Sequence, residues 1–132
     1  MRFPIYSLDT HVQYWQIAAP AKLSIAARTV FDNARSGRAV LIISHIVIAE
    51  LFYLFQKQGQ SDEFAPFIRL LETSPAYRVE PITMEDLKLL PKFHEIPEMH
   101  DRLIAIQASR LDAILVTKDS SIRASAQVKT LW

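Results

Sequence analysis

Apolar residues in this chain form short runs that alternate with longer stretches of helical spacing. The short runs predict buried strands at residues 3–8, 39–43, 77–82, 113–116 and 128–132. The helical stretches predict helices that start at Asp9-Thr10 and cover residues 21–36, 46–57, 61–72, 83–90 and 98–111. Residues 91–97 are expected to form a loop. This alternation predicts an α/β fold with a parallel sheet between helical layers and right-handed crossovers.

Two of these segments suggest burial on all sides. Residues 39–43 carry no polar alternation, which is typical of a strand covered on both faces. The helix over residues 46–57 can be capped by Ser44 and is apolar nearly all round, so it is expected to lie deep in the structure. Gly37 and Gly59 mark the ends of two helices.

Four acidic residues accompany the predicted core elements. Asp9 and Asp119 follow the first and fourth strands, while Glu50 and Asp101 lie on apolar helix faces. A lone buried carboxylate costs several kcal/mol or becomes protonated. Because ligands of open α/β sheets bind beyond the carboxyl ends of the strands, the four are expected to converge there. Carboxylates without cysteine favour Mg²⁺ or Mn²⁺, and such a site predicts phosphodiester hydrolysis.

Composition narrows the class of protein. The 132 residues fit one domain over residues 1–132, and half of them are hydrophobic. The formal charge of +1 predicts no strong field for polyanions, although metal bound by four acids would leave a basic remainder suited to a phosphate backbone. The absence of cysteine excludes disulfides and thiol chemistry, and no apolar stretch is long enough to span a membrane. A cytoplasmic protein is expected.

Four stretches carry a family resemblance, in the order YSLDTH, ISHIVIAELFYL, IPEMHDRLIA and ILVTKDSSI. This ordered set resembles the PIN-domain ribonucleases, specifically the VapC toxins of toxin–antitoxin pairs. The resemblance implies a three-layer, Rossmann-like domain whose five parallel strands have the order 3-2-1-4-5, with helices on both faces. It also implies an Mg²⁺ or Mn²⁺ site and RNA cleavage by a metal-activated water. The residues implied as ligands and catalysts are Asp9, Glu50, Asp101 and Asp119.

The resemblance further implies two kinds of protein partner, a second copy of the chain in a homodimer and a VapB-like antitoxin whose C-terminal segment occupies the catalytic groove. Departures from the family pattern are mild. Gln107 lies where an alanine-rich segment is common, and Gln13 and Gln16 replace frequent apolar residues. None of these departures changes the four acids.

Each acid also has a purely structural interpretation. Asp9 and Asp119 could cap a helix or a turn, Asp101 could complement a helix dipole, and Glu50 could pair with a buried arginine. Metal binding is favoured over these alternatives for all four. The hydroxyls of Thr10 and Thr117 could either satisfy backbone groups or orient a metal ligand.

Other chemically capable residues are left outside the predicted site. The histidines have no ligand spacing, and three basic residues near the groove are interpreted as solvated charges: Arg102, Lys118 and Arg123. An aromatic block is assigned to core packing or a dimer face rather than to base stacking: Phe52, Tyr53 and Phe55.

Two other functions stay open. A catalytically silent interaction module could keep the same fold. A nucleotide-binding or signalling domain is less favoured, since two glycines cannot form a Gly-rich phosphate loop.

Overall fold

The computed structural model describes residues 3–132, which contain five strands and seven α-helices. The strands are β1 Ile5–Leu8, β2 Val40–Ser44, β3 Tyr77–Glu80, β4 Ile114–Val116 and β5 Thr130–Leu131. The helices are α1 Thr10–Ala18, α2 Ile25–Arg35, α3 His45–Lys57, α4 Phe64–Thr73, α5 Met84–Lys88, α6 Met99–Arg110 and α7 Ser120–Arg123. All strand pairs are parallel and the order is β3-β2-β1-β4-β5, which confirms the predicted α/β fold and sheet order.

The sheet is covered on both faces. Leu41, Ile42 and Ile43 are consecutive residues of β2, and each is at most 1% exposed. Since neighbouring strand residues point to opposite faces, apolar material must pack on both sides of the sheet. The predicted three-layer arrangement is therefore confirmed.

Two predicted helices begin later than the sequence indicated. Residues 20–22 form a single 3-10 turn, and α2 starts only after Ser24, whose hydroxyl accepts a 3.0 Å hydrogen bond from the Ala27 N–H. A second 3-10 turn at residues 61–63 precedes α4. Hydrophobic spacing continues through such turns, so it does not reveal where the α-helical hydrogen bonds begin.

Helix α3 is less buried than expected. Ser44 caps it as predicted, accepting a 3.2 Å hydrogen bond from the Ile46 N–H. Its fully buried residues lie on one stripe: Val47, Leu51 and Phe55. Phe52 and Tyr53 are 38% and 67% exposed, so the expectation of a helix buried all round was wrong.

Smaller differences concern the second half of the chain. A 3-10 turn at residues 90–93 occupies the start of the predicted loop, and α7 was not predicted. Strand β3 ends at Glu80 because the next residue, Pro81, has no N–H for the sheet ladder. Thr83 and Asp86 form a capping box at the start of α5.

Strand β1 lies at the centre of the sheet and positions the candidate site. Its Tyr6 is aligned with Leu41 of β2 on one side and Ile114 of β4 on the other. The chain runs outward from β1 to β3, then crosses to β4, so the strand order reverses between β1 and β4. Ligand crevices of open α/β sheets form at such a reversal. Among residues 3–132 no helix is long and apolar enough to cross a membrane.

Candidate active site

Asp9 is the most buried of the four predicted acids, with 8% exposure. It caps α1, and its Oδ1 accepts a 2.8 Å hydrogen bond from the Thr10 N–H. Its Oδ2 accepts a 2.6 Å bond from the hydroxyl of Thr117, which is fully buried. Burial raises the pKa of Asp9, and these two hydrogen bonds counteract part of that rise. The carboxylate is thus held in one orientation at the end of β1.

Asp119 approaches Asp9 from the end of β4. Its backbone N–H donates a 3.0 Å hydrogen bond to Thr117 Oγ1, so one hydroxyl links the segments that carry both acids. Asp119 Oδ1 accepts bonds from the Ser121 hydroxyl at 2.7 Å and the Ile122 N–H at 3.0 Å. Burial opposes ionisation of Asp119, but these bonds outweigh it and lower its pKa. Asp119 is therefore an anion at neutral pH.

Glu50 reaches the same region from the second turn of α3. Its Oε1 accepts a 2.7 Å hydrogen bond from the Thr10 hydroxyl. Its Oε2 lies 4.0 Å from His100 Nδ1, which is itself 2.8 Å from Glu98 Oε1. The Glu50 side chain is 33% exposed, so the predicted deep burial was wrong. The cause is the partial exposure of α3.

Asp101 lies in the first turn of α6, as expected, and is half-buried. Its N–H donates a 2.8 Å hydrogen bond to Glu98 Oε2, which caps the helix. No described residue donates a hydrogen bond to the Asp101 carboxylate. Burial raises its pKa to about 7, assisted by four neighbouring negative charges: Asp9, Asp119, Glu98 and Glu50. Of the four acids, Asp101 is thus the one whose negative charge is least stabilised by hydrogen bonds from the described residues.

The four acids line one open pocket of about 370 Å³ at the carboxyl ends of the strands. The remaining lining residues are Thr10, His11, Val12, Trp15 and Lys118. The volume falls within the roughly 300–1,000 Å³ typical of ligand sites. The predicted convergence of the four acids is thus seen in the structure. The hydroxyl of Thr10 donates to one of these carboxylates, Glu50, and the hydroxyl of Thr117 donates to another, Asp9.

The donor chemistry of the pocket fits a hard divalent cation. Four carboxylates share it. Burial, and after it the repulsion between these carboxylates, raises the pKa of Asp101, and a cation would relieve the repulsion. Within the described part of the chain, no group of three His, Cys, Asp or Glu side chains is already arranged to hold a metal ion. Binding would therefore require these carboxylate side chains to move toward the ion.

Three side chains of the pocket wall stood outside the predicted site. Lys118 was placed near the groove as a solvated charge, His11 was left out for lack of ligand spacing, and Trp15 was missed. His11 and Trp15 lie one turn apart on α1, and Lys118 lies between Thr117 and Asp119. For His11 and Trp15 the available signal was their spacing on the helix after Asp9, since residues four apart share a helix face. Arg102, by contrast, donates a 2.7 Å hydrogen bond from Nε to the Ile96 carbonyl and does not line the pocket.

Comparison with known proteins assigns the chain to a family. The doubly wound parallel sheet is a fold class that binds ligands at the reversal of its strand order and hosts many unrelated functions. The PIN domain family model matches residues 6–127, and the chain belongs to this family. No curated protein matches the chain significantly in sequence.

Several solved structures share the fold. VapBC2 from Rickettsia felis, bound to a promoter DNA fragment, has a TM-score of 0.75 and 18% identity, covering 96% of this chain and 97% of that one. DNA-bound VapBC from Salmonella typhimurium has a TM-score of 0.72 and 17% identity, and the match covers 98% of both chains. FitAcB from Neisseria gonorrhoeae has a TM-score of 0.71 and 17% identity, and the match covers 96% of both chains. At such low sequence identities, the structural likeness shows a shared fold alone.

Proposed function

We propose that this PIN domain is an Mg²⁺- or Mn²⁺-dependent endoribonuclease that acts as the toxin of a VapBC-type pair. The observation that carries the proposal is the convergence of four carboxylates on one pocket at the β1–β4 reversal. Asp9, Glu50, Asp101 and Asp119 are the proposed metal ligands and catalytic residues. Residues 1–132 are proposed to act as one domain.

The chain's own part in the reaction is to orient charge. Thr117 fixes Asp9 and the segment of Asp119, and Thr10 fixes Glu50. Asp101, with its pKa raised to about 7, exchanges a proton near neutral pH and so can release it when a cation enters. A bound Mg²⁺ or Mn²⁺ would supply Lewis-acid stabilisation of the phosphate and a more acidic water.

The toxin part of the proposal rests on the structural neighbours. Two of those described above are VapBC complexes, which supports a VapB-like antitoxin as partner and a cytoplasmic location. Exposed aromatic side chains on α3, Phe52 and Tyr53, support a homodimer face. Co-expression with the product of a neighbouring small gene, followed by light scattering on the purified complex, tests both partners.

The activity is tested with purified protein and a mixed RNA pool. Cleavage is expected with Mg²⁺ or Mn²⁺, to stop with EDTA, and to return when the metal is restored. Asp9→Asn and Asp101→Asn are expected to lower cleavage at least 100-fold, the scale of losing a group that stabilises transition-state charge. Expression of either variant should also relieve growth inhibition.

Asp112→Asn is the matched control. Asp112 is 90% exposed at its side chain, and its φ of 52° is one that asparagine adopts readily. It lies just before β4, at the end of the strands opposite the pocket, so this variant should cleave like wild type. Failure of metal-replete protein to cleave any RNA, with growth unaffected by the acid variants, would falsify the proposal.

A further inference from the structure

Three aromatic rings form a row beside the carboxylates. The ring centroids of His11 and Trp15 are 5.8 Å apart with a tilt of 52°, and those of Trp15 and Trp132 are 5.8 Å apart with a tilt of 55°. Lys118 Nζ lies 5.9 Å from the Trp15 ring centroid. His11, Trp15 and Lys118 all line the same pocket as the four acids.

Helix α1 fixes the place of Trp15 relative to the candidate catalytic residues. Asp9 caps this helix, and Trp15 follows six residues later, roughly 9 Å along the axis. Trp15 also packs against the hydrophobic core and against Trp132, so the indole is held in place while part of it faces the pocket. A rigid aromatic surface thus lies next to a group of carboxylates.

Lys118 has acids as neighbours in the pocket but lies over an indole. Its ammonium group makes no ion pair within 4.0 Å of a carboxylate in residues 3–132, although Asp119 is the next residue. The side chain is exposed, and a cation–π contact at an exposed position is weak. The ammonium group can therefore leave the ring for an incoming phosphate at little cost. Lys118 is thus an exposed charge, as expected from the sequence, and it lines the pocket.

We propose that Trp15 stacks an unpaired RNA base beside the cleaved bond while Lys118 contacts a neighbouring phosphate. This inference rests on the proposed ribonuclease function and names the residues that hold the nucleotide next to the cleaved bond. A base in a duplex is already stacked and paired, so its face is not free for the indole. Stacking on an aromatic side chain contributes about 5- to 150-fold in affinity per base, with little sequence preference.

The test uses single-stranded RNA of one mapped cleavage site, with an abasic nucleotide placed at each flanking position in turn. Wild-type protein is expected to lose about 5- to 150-fold in kcat/KM, mainly through KM, at one flanking position. Trp15→Leu should show the same loss on intact RNA and no further loss on that abasic RNA. Trp15→Phe should keep most of the activity, because it keeps an aromatic face.

Lys118→Gln is expected to raise KM and to reduce the slope of log affinity against log salt by about 1, as for one lost phosphate contact. Two matched controls lie outside the pocket. Phe3→Leu removes an aromatic ring that is 46% exposed, and Lys129→Gln removes an ammonium whose side chain is 77% exposed. Both should leave the kinetics unchanged.

The outcomes separate the inference from the proposed function. If RNA is cleaved but the Trp15→Leu and abasic losses simply multiply, or if a fully paired duplex is cleaved equally well, the stacking role is overturned while the nuclease stands. The same holds if Trp15→Leu weakens only antitoxin binding.

If no RNA is cleaved, the Trp132→Phe variant still reports on Trp15. In that variant single-stranded RNA, titrated in EDTA, should quench the remaining indole fluorescence. Absence of quenching overturns the inference as well.

Discussion

The Thr117 hydroxyl donates a 2.6 Å hydrogen bond to the Asp9 carboxylate across the junction between β1 and β4. Both residues are buried, and the same oxygen accepts the Asp119 N–H at 3.0 Å. The relative position of two candidate metal ligands therefore depends on one oxygen atom.

Thr117→Val is expected to lower both stability and activity. Valine fills the same space but leaves Asp9 Oδ2 and the Asp119 N–H without their partner, and the penalty for unsatisfied buried groups is about 1–3 kcal/mol. Urea unfolding and RNA cleavage measure the two effects. Thr117→Ser keeps the hydroxyl and should keep the activity. A valine variant indistinguishable from wild type in both measurements would show that the bond is dispensable.

Thr10→Val is expected to affect activity more than stability. It removes the 2.7 Å hydrogen bond to Glu50, whose side chain is one-third exposed and can hydrate instead. The free energy of unfolding should fall by roughly 0.5–1.5 kcal/mol, the net value of an ordinary hydrogen bond. The metal concentration needed for half-maximal cleavage should rise about 10-fold, as for loss of a group that orients a ligand. Thr10→Ser is the control, and an unchanged metal requirement would contradict the assigned role.

Asp101→Asn is expected to stabilise the metal-free protein above neutral pH. The pKa of Asp101 is raised from 3.8 to about 7, so the folded state keeps a proton that the unfolded state has released. The resulting stability is complete below the unfolded pKa and is lost as the pH rises through about 7. In EDTA at about pH 8 the variant should exceed wild type by on the order of 1–2 kcal/mol. The gap should close toward about pH 4.

Metal addition should reverse this order. Mn²⁺ at saturating concentration is expected to raise the urea midpoint of wild type and to leave that of Asp101→Asn nearly unchanged, because a ligand that binds only the folded state stabilises it. This readout does not require activity. Equal midpoints with and without Mn²⁺ in wild type would argue against a metal site among these acids.

A second pH effect is expected far from the pocket. Asp86 is fully buried and accepts two hydrogen bonds from the Arg110 guanidinium. Nε donates to Oδ1, and Nη2 donates to Oδ2 at 3.1 Å. Burial opposes ionisation of Asp86, but the bonds from Arg110 and Thr83 outweigh it and lower the pKa. The stability from this group is therefore present above the ordinary pKa of 3.8 and is lost as the pH falls through the lower, folded value.

Asp86→Asn should accordingly cost about 1.5–3 kcal/mol at neutral pH, the range for hydrogen bonds to charged groups. The cost should shrink in acid, as followed by urea unfolding at several pH values. Glu85→Gln, in an exposed 3.3 Å pair with Lys88, is the control and should change stability by under about 1 kcal/mol. A cost for Asp86→Asn that is independent of pH would contradict this account.

The sequence was sufficient for the sheet and for the convergence of the acids, because apolar runs define strands and Asp9 and Asp119 directly follow two of them. It was insufficient for Glu50, whose burial depends on which side of α3 the neighbouring helices cover. The contact between Trp15 and Trp132 could not be predicted from the sequence either. Trp15 and Trp132 come from opposite ends of the chain, and no local pattern shows that they meet.

The reversal of strand order between β1 and β4 has a consequence for synthesis of the chain on the ribosome. Asp9 emerges early, but its hydrogen-bond donor Thr117 and its neighbour Asp119 emerge only after β4 has been made. A nascent or truncated chain that lacks residues 114–119 can pair β1, β2 and β3 but cannot complete the pocket. The pocket, and any reaction that it performs, is therefore complete only after residues 114–119 have been made.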